Sequence, residues 1–141
     1  MRLRVLAAAI GFACLPVTAA DAASLRVAPV LLDVASGQTG TTLRVSNDDK
    51  VPIRVQVRVY LWTHKGNDDV LSPTKAVVAS PPIGVLKPGA ENLVRIVRVA
   101  TTPVTARESY RVLVDQLPDP KRQAGVVSIL VRHAIPLYFE P

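Results

Sequence analysis

From residue 51 to residue 62 apolar and polar side chains alternate. Val51, Ile53, Val55, Val57, Val59 and Leu61 stand in one register, and Arg54, Gln56, Arg58, Tyr60 and Trp62 in the other. A two-residue period puts one set on each face of an extended strand, whereas the helical period would scatter both around an axis. Six apolar side chains on one face need a second layer to cover them. A segment of this kind therefore commits the chain to a sheet with another layer packed on it.

The rest of the chain agrees. Twelve of the 141 residues are proline, and an interior proline costs a helix about 3 kcal/mol. Valine, which is β-branched and stiff at χ1, dominates the apolar residues between Val27 and Val131 and favours strands. Alternating segments recur at residues 25–34, 41–47, 76–79, 92–100, 109–117 and 126–139, each bounded by turn-forming residues. Pro29 interrupts the first and marks it as an edge strand. Residues 64–69 (His-Lys-Gly-Asn-Asp-Asp) read as a polar loop, and Pro81-Pro82 with Lys87-Pro88-Gly89 frames a stiff connection. No segment carries a helical period. One globular domain is expected, an all-β, immunoglobulin-like β-sandwich of about seven strands.

The N-terminus reads as an address. Arg2 and Arg4 precede an apolar run over residues 5–15, and Ala20-Asp21-Ala22 supplies the small-x-small cleavage pattern. Residues 1–22 are expected to be a signal peptide cleaved before Ala23. The run is shorter than the roughly 20 residues that span a bilayer, so no stable membrane insertion is expected. Phe12, two positions before Cys14, is too large for a lipoprotein acylation site. Cys14 is the only cysteine, so a disulfide framework is excluded. Removing Arg2, Arg4 and Asp21 leaves 15 basic and 10 acidic residues, a net charge of +5.

Little in the sequence could carry catalysis. His64 and His133 lie in no metal-binding or nucleophile pattern, and Asp48-Asp49 and Asp68-Asp69 read as turn formers. No glycine-rich phosphate loop occurs, so neither an enzyme nor a cofactor or metal site is expected. Arg44, Arg54, Arg58, Arg95, Arg98 and Arg111 could line up as a basic stripe on one sheet. For a secreted chain this reads as a solvated face, and no nucleic-acid partner is expected.

Three segments resemble the N-terminal domain of PapD-like pilus-assembly chaperones. They are Val45-Ser46-Asn47-Asp48-Asp49 before the long strand; Ser80-Pro81-Pro82 through Lys87-Pro88-Gly89 to Leu93-Val94-Arg95-Ile96; and Arg107-Glu108-Ser109-Tyr110 running to Leu117-Pro118. Together they cover nearly all of residues 24–141. The run Ile135-Pro136-Leu137 and the Ser-Tyr-Arg form of the Glu-Ser strand look more like the divergent, archaic-type branch.

The resemblance implies a periplasmic chaperone that binds pilus subunits by donor-strand complementation and delivers them to an outer-membrane usher. It places the donated residues at Val127, Ile129, Val131 and Ile135. Without the resemblance, the same apolar face would serve this domain's own core. Family members use two basic residues to anchor the subunit's carboxylate, and the matching positions here hold Pro29 and Pro136. Carboxylate capture then uses other cations, with Arg132, Arg26 and Arg98 as the candidate anchors, or is absent. The resemblance also implies a second domain, of about 100 residues, and ends at Pro141 before it. A structural periplasmic immunoglobulin-like module without a client is the alternative reading.

Overall fold

The computed structural model describes residues 24–121, 124–125 and 128–141. These residues contain no helix and form ten strands. The strands are β1 (Leu25–Ala28), β2 (Leu32–Val34), β3 (Gly40–Asn47), β4 (Ile53–Lys65), β5 (Asp68–Pro73), β6 (Val77–Ser80), β7 (Ile83–Leu86), β8 (Glu91–Arg98), β9 (Glu108–Leu117) and β10 (Arg132–Phe139). One sheet has the order β1-β3-β8-β6. The other runs β2-β10-β9-β4-β5, with β7 also on β4. All pairs are antiparallel except β2 with β10.

The expected sandwich is present, with ten strands where about seven were expected. Two of the extra strands come from proline, which removes a ladder donor and so ends pairing. At Pro29 the first segment splits into β1 in one sheet and β2 in the other, and both are edges, as Pro29 implied. At Pro81-Pro82 the chain crosses from β6 to β7, so the expected stiff connection itself contains a strand. The third extra strand is β5. The expected loop at residues 64–69 is a tight hairpin in which His64 faces Asp69 and Lys65 faces Asp68. Gly66 makes the turn with φ +62°, a conformation that glycine adopts without a Cβ clash.

The long alternating strand packs as its period requires. Ile53, Val55 and Val57 are buried against Leu43, Val94 and Ile96 of the facing sheet, while Val51 and Leu61 overrun the sandwich and are exposed. At about 25 cal/mol per Å2 each fully buried aliphatic side chain of this seam contributes roughly 1.5–3 kcal/mol. Asn47 is the fully buried polar residue at its lower end. Its Nδ2 donates to the carbonyls of Val51 (2.8 Å) and Leu86 (3.1 Å), and its Oδ1 accepts the Asp49 amide at 2.8 Å. One side chain thus ties the β3–β4 turn to the end of β7.

The arginine stripe does not form. Arg44, Arg95 and Arg98 lie in the β1-β3-β8-β6 sheet, and Arg54, Arg58 and Arg111 in the other.

Candidate functional site: the open edge of β10

Residues 126–139 were expected to form one strand, but pairing begins at Arg132. From there β10 is bonded to β9 along its whole length, Arg132 opposite Asp115 and Phe139 opposite Glu108. On its other side β2 reaches only Leu137, Tyr138 and Phe139. Among the described residues, Arg132 to Pro136 have no strand beside them on that side.

The direction of the free groups follows from the period. The Gln116 amide donates to the Val131 carbonyl (2.9 Å), and the Glu140 amide to the Val34 carbonyl (3.0 Å). Odd residues from Val131 onward therefore address β9, and even residues address the β2 side. The free edge presents the N–H and C=O of Arg132 and Ala134, and pairing with β2 begins at the C=O of Pro136. Proline fits there because the N–H it lacks is not one that β9 needs.

The side chains expected to be donated end up in different places. Val127 lies outside the described residues. Ile129 is 84% exposed and overhangs the end of the sandwich. Val131 is half-buried and packs on the core margin. Ile135 is only 2% exposed, because at Val112 the sandwich is already two layers thick and the odd register turns inward there. Exposed Val30 and Leu31, just before β2, add apolar surface to that end of the sheet.

The three candidate anchors are not brought together. Arg26, on β1, is paired with Asp48 at 2.7 Å on the surface. Arg98, on β8, is 8% exposed and fully occupied. Its Nε and Nη2 donate to the two Glu108 oxygens at 2.8 Å, and Nη1 to the Ala100 carbonyl at 2.8 Å. Tyr110 Oη also donates to Glu108, at 2.9 Å. Arg98 and Glu108 stand on different sheets, so this cluster closes one end of the sandwich. The Arg98 guanidinium holds the Glu108 carboxyl below its usual range, against the opposing effect of burial. Burial and the bond to Glu108 push the Tyr110 hydroxyl up to about 12.

Arg132 alone flanks the free edge. On the outer face of the sheet its Nε donates to Asp115 Oδ1, while Arg58 Nη2 donates to Oδ2 of the same carboxylate at 2.6 Å. Arg58 reaches Asp115 diagonally, since Gln56 is the residue directly opposite. Burial pushes the Asp115 carboxyl up, but the bonds from Arg132 and Arg58 outweigh it and hold the group below the usual carboxylate range. A groove of about 420 Å3 opens over this cluster, between Gln56, Gln116, Leu130 and Val131. Arg58 and Asp115 carried no signal as a pair in the sequence. They lie 57 positions apart, and only the β4–β9 register brings them together.

Among the described residues no three His, Cys, Asp or Glu side chains converge as metal ligands would. His64 pairs with Asp69 (2.8 Å), and His133 Nε2 lies 2.8 Å from the Leu25 carbonyl.

Comparison with known proteins places this fold in a family. The model described as pili and flagellar-assembly chaperone, PapD N-terminal domain, matches residues 24–141. The chain is 32% identical over 107 residues to the chaperone protein PapD of Escherichia coli, covering 71% of this chain and 41% of that protein. It superposes on a chain of the CsuC–CsuE chaperone–tip adhesion subunit pre-assembly complex, from the archaic chaperone-usher Csu pili of Acinetobacter baumannii. That match has a TM-score of 0.72 and 27% identity over 84% of this chain and 57% of the other. A chain of the Salmonella enterica SafA pilin–SafB chaperone complex gives a TM-score of 0.68 and 26% identity, covering 87% of this chain and 57% of the other. The chain spans about half the length of the proteins it matches. With a family model covering every strand of the sandwich, the chain belongs to the PapD-type pilus-assembly chaperones, a family that is not enzymatic.

Proposed function

We propose that this chain is a periplasmic chaperone domain that binds pilus subunits by lending them a strand and passes them to an outer-membrane usher. The observation that carries the reading is the free edge of β10. Main-chain donors and acceptors at Arg132 and Ala134 stand unpaired beside apolar Ile129 and Val131. An edge like this is an aggregation hazard unless a partner completes it, and strand addition is the interaction that uses it.

The donated set is Val127, Ile129 and Val131, of which Ile129 overhangs the sandwich and Val131 sits at the core margin. Ile135 belongs to the core and supports the strand from behind. Of the three candidate arginines, Arg132 is retained as a contact residue, because Arg26 and Arg98 are engaged elsewhere. The apolar run and Ala20-Asp21-Ala22 pattern at residues 1–22 support export to the periplasm. The CsuC–CsuE and SafB–SafA complexes support a subunit as the partner.

The test is co-expression with a strand-deficient subunit encoded beside this gene. The wild-type chain is expected to co-purify with the subunit. Ile129→Asp and Val131→Asp should abolish recovery, because burying an unpaired carboxylate in an apolar groove costs several kcal/mol. Equal recovery with both variants would overturn the reading.

A further inference from the structure

We infer that the groove over Asp115 is a second contact site for the partner, one that takes an acidic side chain within the partner's sequence. The inference rests on the proposed function only for the identity of the partner.

Two guanidiniums, Arg58 and Arg132, share one carboxylate, which leaves an excess of one positive charge at the floor of an open groove. A stabilising cluster would match its charges and be closed, as Arg98 and Glu108 are. Here the Arg132 side chain is 61% exposed and that of Arg58 39%, so N–H groups of both remain open to a ligand. Asp115 holds each guanidinium by one bond and fixes its direction. The planar fork of arginine suits a second carboxylate better than any neutral acceptor.

An unfinished polar group points the same way. Arg58 Nε, on a residue that lines this groove, is buried without a partner among the described residues. Native structures leave few such groups, and they concentrate where something else completes the site.

The apolar rim identifies the source of the carboxylate. Leu117 and Leu130 flank the charged floor, and Leu130 is exposed. A ligand that covers both leucines and the arginines between them has an acidic residue with apolar residues on either side. A strand or loop of a polypeptide provides that, while a terminal carboxylate would leave one leucine in water.

The experiment follows the Arg58 and Arg132 Nε–Hε signals by 15N–1H NMR while three peptides are added: Ac-Val-Asp-Val-NH2, Ac-Val-Asn-Val-NH2 and Ac-Val-Ala-Val with a free C-terminus. The aspartate peptide is expected to shift both signals and to bind at least about tenfold more tightly than the other two, the size of one charge-assisted bond. Arg58→Gln should weaken it by about as much, and Arg54→Gln, outside the groove lining, should not. Arg58→Lys, which keeps the charge and loses the fork, should fall between and guards against a folding artefact. Equal binding of the asparagine peptide would overturn the inference, as would equal binding of the free-terminus peptide or no effect of Arg58→Gln. No subunit is present in this titration, so the site and the lent strand can fail independently.

Discussion

The molecule contains two arginine–carboxylate clusters that look alike in a contact map and differ in how completely they are satisfied. At the end of the sandwich Arg98 spends its donors on Glu108 and Ala100, Tyr110 adds another bond, and the arginine is 8% exposed. On the outer face of the β10-bearing sheet, Asp115 is shared by two arginines that both remain partly in solvent. The first links two sheets and has no capacity left. The second lies within one sheet and has a surplus. Satisfaction, more than charge count, separates a cluster that holds the fold from one poised for a partner.

Arg98→Met should be the most damaging single change. It would leave Glu108 as a partly buried carboxylate with only the Tyr110 hydroxyl, and loss of one member of such a pair costs about 3 kcal/mol. Urea unfolding should show the midpoint falling with little change in slope. In the double variant Arg98→Met/Glu108→Gln the losses should not add, because the second change removes the orphaned charge created by the first. A loss below about 1 kcal/mol for Arg98→Met would mean that the closed cluster does not hold the sheets together.

How far each cluster could be read from the sequence follows the same division. The alternation in β4 was plain because a two-residue period is local, and the proline at position 29 announced an edge for the same reason. The hairpin strand β5, Asp-Asp-Val-Leu-Ser-Pro, carries almost no apolar alternation and is held in place by pairing with β4, so Asp68 and Asp69 read as loop and no strand is legible from Val70 to Pro73. Arg98 was visible as a cation but not as an occupied one, since Glu108 is on the facing sheet. Ile135 shares a register with Ile129, yet one is core and the other overhangs. Which it is depends on where the second layer ends, and alternation does not encode that. The free edge of β10 likewise depends on β2 stopping at Leu32, a fact of the parallel pairing and of no residue in β10 itself.

Acid titration probes both clusters at once. Glu108 and Asp115 each have a folded-state pKa below the ordinary value. Each therefore contributes stability that is fully present above the unfolded values, about 4, and is lost as pH falls through the folded ones. Stability measured by urea unfolding should decline below about pH 4, and Asp115→Asn should make that decline shallower after lowering stability at neutral pH by about 1 to 2 kcal/mol. Tyr110 works on the opposite side. Its pKa is raised to about 12, so its contribution is complete below the unfolded value near 10 and is lost as pH rises from there to 12. An acid limb unchanged by Asp115→Asn would show that the open cluster adds nothing to the fold.

The smallest expected effect is the most discriminating. Arg132→Gln removes one of two partners from Asp115, yet Arg58 remains at 2.6 Å, so the carboxylate is not orphaned. Asp115 is buried, but the Arg132 side chain is 61% exposed, so solvent screens its half of the pair and holds its worth to about 0 to 1 kcal/mol. Stability should change by no more than about 0.5 kcal/mol, while the surplus charge in the groove disappears. If Arg132→Gln instead costs as much as Arg98→Met, the two clusters are equivalent supports and the surplus is structural. If stability holds, the charge that Arg132 adds beside the free edge of β10 is available to a partner and the fold can do without it.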